Sequence, residues 1–165
     1  MLDLVDTLWE EGYTNFTAAY VTAGMDAYLA SLDTLFTVFA PTDDAFGNVK
    51  SFGGKSLLEC LLEQPFMFTL RMLLSYHVAV GAVSVENLSN YPFITTLAGP
   101  LLITIDPDND NLLFSNSSAG VVQPDIFFSN GIAHGVDAFL LPPGEDFDSF
   151  LQECDDSFFT RNRMY

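Results

Sequence analysis

Apolar residues recur at helical intervals over the opening of the chain. Leu2, Val5, Leu8 and Trp9 share one face of a segment spanning residues 2–11, and Gly12 supplies its stop. A second helical segment begins near Thr14, with Phe16, Ala19, Tyr20 and Ala23 on one side, and ends before Gly24. A short third piece covers residues 25–31. The aromatics Trp9, Tyr20 and Tyr28 read at this spacing as core rather than as a binding stripe. The pattern then changes. Phe36, Val38 and Ala40 alternate with Thr37 and Phe39, so both faces carry bulk, as in a strand covered on two sides. Pro41 removes a backbone donor and ends the pairing. Thr42 stands where a helix wants an N-cap, Asp43 and Asp44 fall in its first turn, and Phe46 drops back onto the strand.

Residues 50–55 read as a Gly-containing loop, after which Ser56-Leu57-Leu58-Glu59 forms a capping box. Pro65 suits the first turn of a further helix, in which Leu70, Leu73, Leu74 and His77 share a face. From Val78 onward the pattern is that of strands. Residues 101–105 and 111–114 flank Asp106-Pro107-Asp108-Asn109-Asp110, and Val121-Val122 precedes Gln123-Pro124-Asp125. Ile126-Phe127-Phe128-Ser129 meets Ile132-Ala133-His134-Gly135-Val136 across Asn130-Gly131, a hairpin signal because both residues tolerate positive φ. A last strand, Phe139-Leu140-Leu141, stops at Pro142-Pro143. The expectation is an α+β domain over residues 1–143, its helical N-terminal half packed on a twisted β-sandwich or wedge of about seven strands. Residues 144–165 form an acidic tail, either a docked amphipathic helix or a linker.

Composition supports a single packed domain: 165 residues, 49% hydrophobic, with 16 Phe. Charge is more telling. With 22 acidic and 5 basic residues the net charge is −17. Such a surface repels phosphate backbones and anionic bilayers, so neither nucleic acid nor a membrane is an expected partner. Cations or basic proteins are, unless the acidity only serves solubility. No apolar run is long enough to insert in a membrane.

Candidate chemistry is sparse. The acidic run at residues 106–110 resembles the start of a calcium loop, but Asn111 stands where Gly is needed and Ser117 where the bidentate Glu belongs. A solvated turn is the expectation. His77 and His134 are the only histidines, and each sits among apolar residues. A small hydrolase using them is the last-ranked reading, since no nucleophile elbow or catalytic triad pattern accompanies them. No zinc-binding cluster and no phosphate loop occurs, so no metal or cofactor is expected. Cys60 and Cys154 form either a disulfide or two buried thiols. Asn15, Asn87 and Asn116 open glycosylation sequons compatible with secretion.

Three segments carry a family resemblance. Residues 37–46, Thr-Val-Phe-Ala-Pro-Thr-Asp-Asp-Ala-Phe, resemble the first signature of the fasciclin-type domain, through Thr37, Phe39, Pro41, Thr42, Asp43 and Phe46. Leu74-Ser75-Tyr76-His77-Val78 is similar to the Leu-x-Tyr-His-Val segment of that family. Asn130, Gly131, His134, Asp137, Leu140, Leu141 and Pro142 align with the second signature, while Ala133 and Gly135 replace larger apolar residues. The resemblance implies a non-catalytic extracellular or cell-surface adhesion module, binding integrin-like cell-surface or matrix proteins, or wall polysaccharides. Contacts are then expected near Tyr76 and His77 and in loops after the strands, although both side chains also suit a core role. An alternative is a secreted acidic module for carbohydrate or basic protein. The opening Met1-Leu2-Asp3 has no basic region or cleavage site, so a secretory signal is expected upstream in the parent protein.

Overall fold

The computed structural model describes residues 2–47, 67–105, 112–114 and 119–140. The chain opens with α1 (Leu4–Glu10), α2 (Thr14–Thr22) and α3 (Met25–Ala30), followed by β1 (Phe36–Pro41) and α4 (Asp43–Gly47). Then come α5 (Met67–Tyr76), β2 (Val78–Val80), α6 (Val85–Leu88), β3 (Phe93–Thr96) and β4 (Gly99–Ile105). The strands β5 (Leu112–Phe114), β6 (Ala119–Phe128) and β7 (Gly131–Val136) complete it. The expected capping box at residues 56–59, Cys60 and Cys154, the acidic run at 106–110, Asn116 and the tail at 144–165 lie outside the described residues.

The helix stops are local chemistry. Gly12 and Gly24 adopt φ of 92° and 76°, the left-handed region that closes a helix without a Cβ penalty. Asp3 caps α1 by accepting from the Asp6 N–H at 2.9 Å. Thr42 caps α4 as expected, accepting from the Ala45 N–H at 3.1 Å.

The seven strands close into a barrel in the order β1 to β7, replacing the expected sandwich or wedge. Neighbours pair antiparallel except at the seam, where β1 and β7 run parallel. That seam joins the two signature segments residue by residue, Phe39 opposite His134 and Pro41 opposite Val136. Every residue of β1 is buried, the two-sided burial that its composition implies. Phe36, Val38 and Ala40 face the helices, in a core with Leu8, Phe16, Leu29, Leu70 and Leu74. Phe39 faces the barrel interior with Tyr76, Leu101, Phe114 and Val136. One strand therefore belongs to both cores.

Four expectations are corrected. Trp9 and Tyr28 are 58% and 53% exposed, and only Tyr20 of that trio is core. The buried face of α1 is set by Leu4, Thr7 and Leu8, and the next residue, Trp9, is rotated by about 100° toward solvent. Of the strand expected at 139–141, Leu141 lies outside the described residues, and Phe139 and Leu140 are not in a strand: β7 ends at Val136, and both enter the core from irregular backbone. Residues 121–128 form one strand, whose register shifts between Val121, Gln123 and Ile126 absorb Pro124 and put Asp125 at φ 55°. The β6–β7 turn also lies one residue earlier, because Phe128 pairs with Gly131. Gly131 is required for space rather than for positive φ, since a Cβ there would overlap the Phe36 carbonyl oxygen of β1.

Candidate functional site

The two histidines are interior struts. His77 donates from Nδ1 to the Leu73 carbonyl at 2.6 Å and accepts at Nε2 from the Leu140 N–H at 3.0 Å. His134 has the opposite tautomer, accepting at Nδ1 from the Asp125 N–H at 3.0 Å and donating from Nε2 to the Val83 carbonyl at 2.9 Å. Both rings are fully committed. Burial lowers both imidazoles from their ordinary range, His77 to about 4. Each ring ties down irregular backbone: His77 holds the segment after β7, and His134 holds the β6 bulge and the loop after β2. Neither ring leaves a nitrogen for a substrate.

Tyr76 is equally interior, with no exposed surface, and its hydroxyl donates to the Pro100 carbonyl at 3.1 Å. The next residue's carbonyl, that of His77, accepts from the Phe39 N–H at 2.8 Å. The pair thus links the end of α5 to the start of β4 and to the middle of β1. Thr37 completes this hub, donating to the Gly81 carbonyl and accepting from the Val83 N–H at 2.8 Å. Asp137 accepts from the Gly120 N–H at 2.8 Å, across the β6–β7 ladder's end. The Asn130 carbonyl accepts from the Phe36 N–H at 2.9 Å.

Asp43 does more than start its own helix. Its carboxylate accepts from the Thr14 hydroxyl at 2.6 Å and from the Asn15 N–H at 2.8 Å, capping α2, whose own N-cap residue Tyr13 offers no side-chain acceptor. Gly135, one of the two departures from the second signature, makes room for Tyr13: a Cβ there would overlap the phenol oxygen, which donates to Gln123 Oε1 at 2.6 Å. Of the sequons, Asn87 is exposed and Asn15 half-buried.

The surface feature that sequence reading missed lies on the outside of β2, β3 and β4. Phe93 and Leu102 are cross-strand partners and both point outward, at 49% and 52% exposure. Tyr91, just before β3, and Val80, at the end of β2, are exposed beside them. Tyr91 and Val80 line a shallow groove with Thr95. Alternation in β3 and β4 buries Ile94, Leu101 and Ile103, which leaves the outward set apolar where solvent would ordinarily select polar side chains. The alternation Phe93, Thr95 against Ile94, Thr96 held the signal, but only the register with β4 brings Leu102 to Phe93.

A family model described as the fasciclin domain matches residues 11–142. The chain belongs to the fasciclin-domain family. Protein sll1483 of Synechocystis sp. is 31% identical over 133 residues, covering 81% of this chain and 69% of that protein. Stabilin-2 of Mus musculus is 35% identical over 109 residues, covering 65% of this chain but 4% of that much longer protein. The FAS1 domain pair of the insect cell adhesion molecule Fasciclin I superposes with a TM-score of 0.67 at 17% identity, covering 79% of this chain and 47% of that one. The fold is that of a fasciclin domain, with helices and strands both present, and relatives of this domain occur in cell-adhesion proteins. In this fasciclin domain the two signature segments are adjacent strands of one seam, and the Tyr76-His77 pair lies inside, between them and β4. Among the described residues no helix is long and apolar enough to cross a membrane.

Proposed function

We propose that this fasciclin domain is an extracellular, non-catalytic adhesion module that meets a cell-surface or matrix protein through the outer face of β2, β3 and β4. The observation that carries this reading is the contiguous apolar set Val80, Tyr91, Phe93 and Leu102 standing in solvent on a well-hydrogen-bonded sheet. Protein interfaces favour aromatic anchors of this kind, framed by a rigid backbone. Tyr76 and His77 serve adhesion in this reading as positioning residues, because they hold the first residues of β2 and β4 in place. Residues 1–143 are the adhesive unit, residues 144–165 an acidic tail or linker, and exposed Asn87 a glycan site on the same secreted surface.

The test is attachment of cells or matrix-coated beads to the immobilised domain, comparing wild type with Phe93→Ser plus Leu102→Ser. Both side chains point outward, so the melting temperature should stay within a few degrees while attachment falls about tenfold or more, as for loss of interface anchors. Unchanged attachment overturns the proposal. The net charge of −17 favours a second reading, in which a basic protein or a carbohydrate binds the acidic surface. Attachment that survives the double substitution but collapses between 50 and 500 mM salt would select the basic partner.

A further inference from the structure

The helical side of the domain holds a second, unrelated feature. A cleft of about 70 Å³ opens between α1, α2, α3 and the seam side of the barrel. Its walls include Leu29, Phe36 and Phe128, all nearly fully buried, and its rim carries Asp3 and Asp26. Tyr20 lines it too. That residue is only 3% exposed, yet among the described residues no group meets its hydroxyl at hydrogen-bond distance. Buried phenols ordinarily find a partner, so a bare one in a cleft marks a place for a ligand. The neighbouring carboxylates are also short of partners. Asp3 Oδ1 accepts from the Asp6 N–H, but among the described residues its other oxygen and both oxygens of Asp26 meet no donor, and no basic side chain pairs with either acid. Burial, and after it the Asp26 and Asp3 carboxylates that line the same cleft, push the Tyr20 phenol well above its ordinary value.

We propose that this cleft binds an alkylammonium group, its carbon stem against Leu29, Phe36 and Phe128 and its N–H donors shared among Tyr20 Oη, Asp26 and Asp3. An ammonium supplies what each feature lacks: a donor for the phenol oxygen, a counter-charge for two unpaired carboxylates, and an apolar stem for the walls. An anion would be repelled, and a neutral alcohol leaves the carboxylates uncompensated. The volume is about half of the ~150 Å³ cavity that holds benzene, so the cleft takes a short stem with its head group at the open rim. A free small amine and the four-carbon ammonium side chain of a partner's lysine present the same chemistry. The cleft lies apart from the β2–β3–β4 face, so this inference and the adhesive reading stand or fall separately.

The experiment is a methyl and amide NMR titration of the whole domain with n-butylammonium chloride and, at matched ionic strength, with n-butanol. Saturable shifts at the Leu4, Leu29 and Val38 methyls are expected, with butylammonium binding about tenfold tighter than butanol, the equivalent of one charge-assisted hydrogen bond. Tyr20→Phe keeps the ring and removes the bare oxygen, and should weaken butylammonium about tenfold and butanol by less, since a neutral hydroxyl makes the weaker bond to that oxygen. Asp26→Asn should do the same if Tyr20→Phe proves poorly folded. A lysine-containing peptide assigns the source: binding as tight as butylammonium indicates a protein side chain, and rejection of the peptide with retention of butylammonium indicates a free amine. Equal binding of butanol and butylammonium, unchanged affinity in a well-folded Tyr20→Phe, or shifts spread over surface carboxylates without the interior methyls would each overturn the proposal.

Discussion

Acidification should destabilise this domain through His77 in a way that can be isolated. Inside the core the ring accepts from the Leu140 N–H, so adding a proton to Nε2 would set two donors against each other in a buried site. The imidazole accordingly falls from an ordinary 6.5 to about 4. In the unfolded chain it titrates near its ordinary value. As pH falls through 6.5 the unfolded state therefore binds the proton first and gains stability relative to the fold; the loss continues until the folded ring protonates near pH 4, and then levels off. At 1.36 kcal/mol per pKa unit the whole effect is about 3 kcal/mol, most of it realised between pH 7 and pH 4.5. His134 titrates in the same direction. The 22 carboxylates complicate the total, since their protonation relieves self-repulsion, so the informative quantity is a difference. Urea unfolding of wild type and His77→Gln at pH 7 and pH 4.5 supplies it, because glutamine offers a donor and an acceptor but does not titrate. The wild type should lose about 2 kcal/mol more than His77→Gln over that interval. Equal losses in the two proteins would refute the assignment. His77→Ala should cost about 3–5 kcal/mol at pH 7 and about 2 kcal/mol less at pH 4.5, because it strands the Leu73 carbonyl and the Leu140 N–H, leaves a cavity between Phe16 and Phe139, and removes the titrating ring.

Other substitutions test the frame around it. Asp43→Ala should lower stability by about 1–2 kcal/mol through loss of the α2 cap, with fast amide exchange appearing at Asn15; protection unchanged there would disprove the cross-capping role. Gly131→Ala should prove among the most damaging single-methyl changes, at about 3 kcal/mol or more by chemical denaturation, because the Phe36 carbonyl must move and the seam must open. A mild loss there would mean that β1 and β7 can separate at little cost.

The helices, β1 and the β6–β7 hairpin were legible because their signals are local: Gly12 and Gly24 as stops, Thr42 as a cap, alternation in residues 36–40. Barrel closure was not, since a sandwich and a barrel use the same alternating strands and differ only in which distant edges meet. The apparent strand at Phe139 and Leu140 misled for a related reason. Phe139 and Leu140 are apolar because they are buried, and burial does not require pairing. The site divides the same way. A motif names Tyr76 and His77 but not the direction they face, and their burial follows from the carbonyls of Leu73 and Pro100, which no periodicity reveals. Tyr20 was correctly legible as core, whereas its unmet hydroxyl is a property of neighbours brought in from other helices.

The parallel seam has a cost in time. Strand β1 must wait for a partner that emerges from the ribosome some ninety residues later, since Phe36 pairs with Gly131, and loop closure over that span is slow compared with hairpin formation. Until then the Phe36–Pro41 edge, apolar on both faces but for Thr37, is an open template for any extended chain nearby. A nascent or truncated chain ending before β7 should therefore need shielding, and the second signature acts as the latch that makes the first one safe.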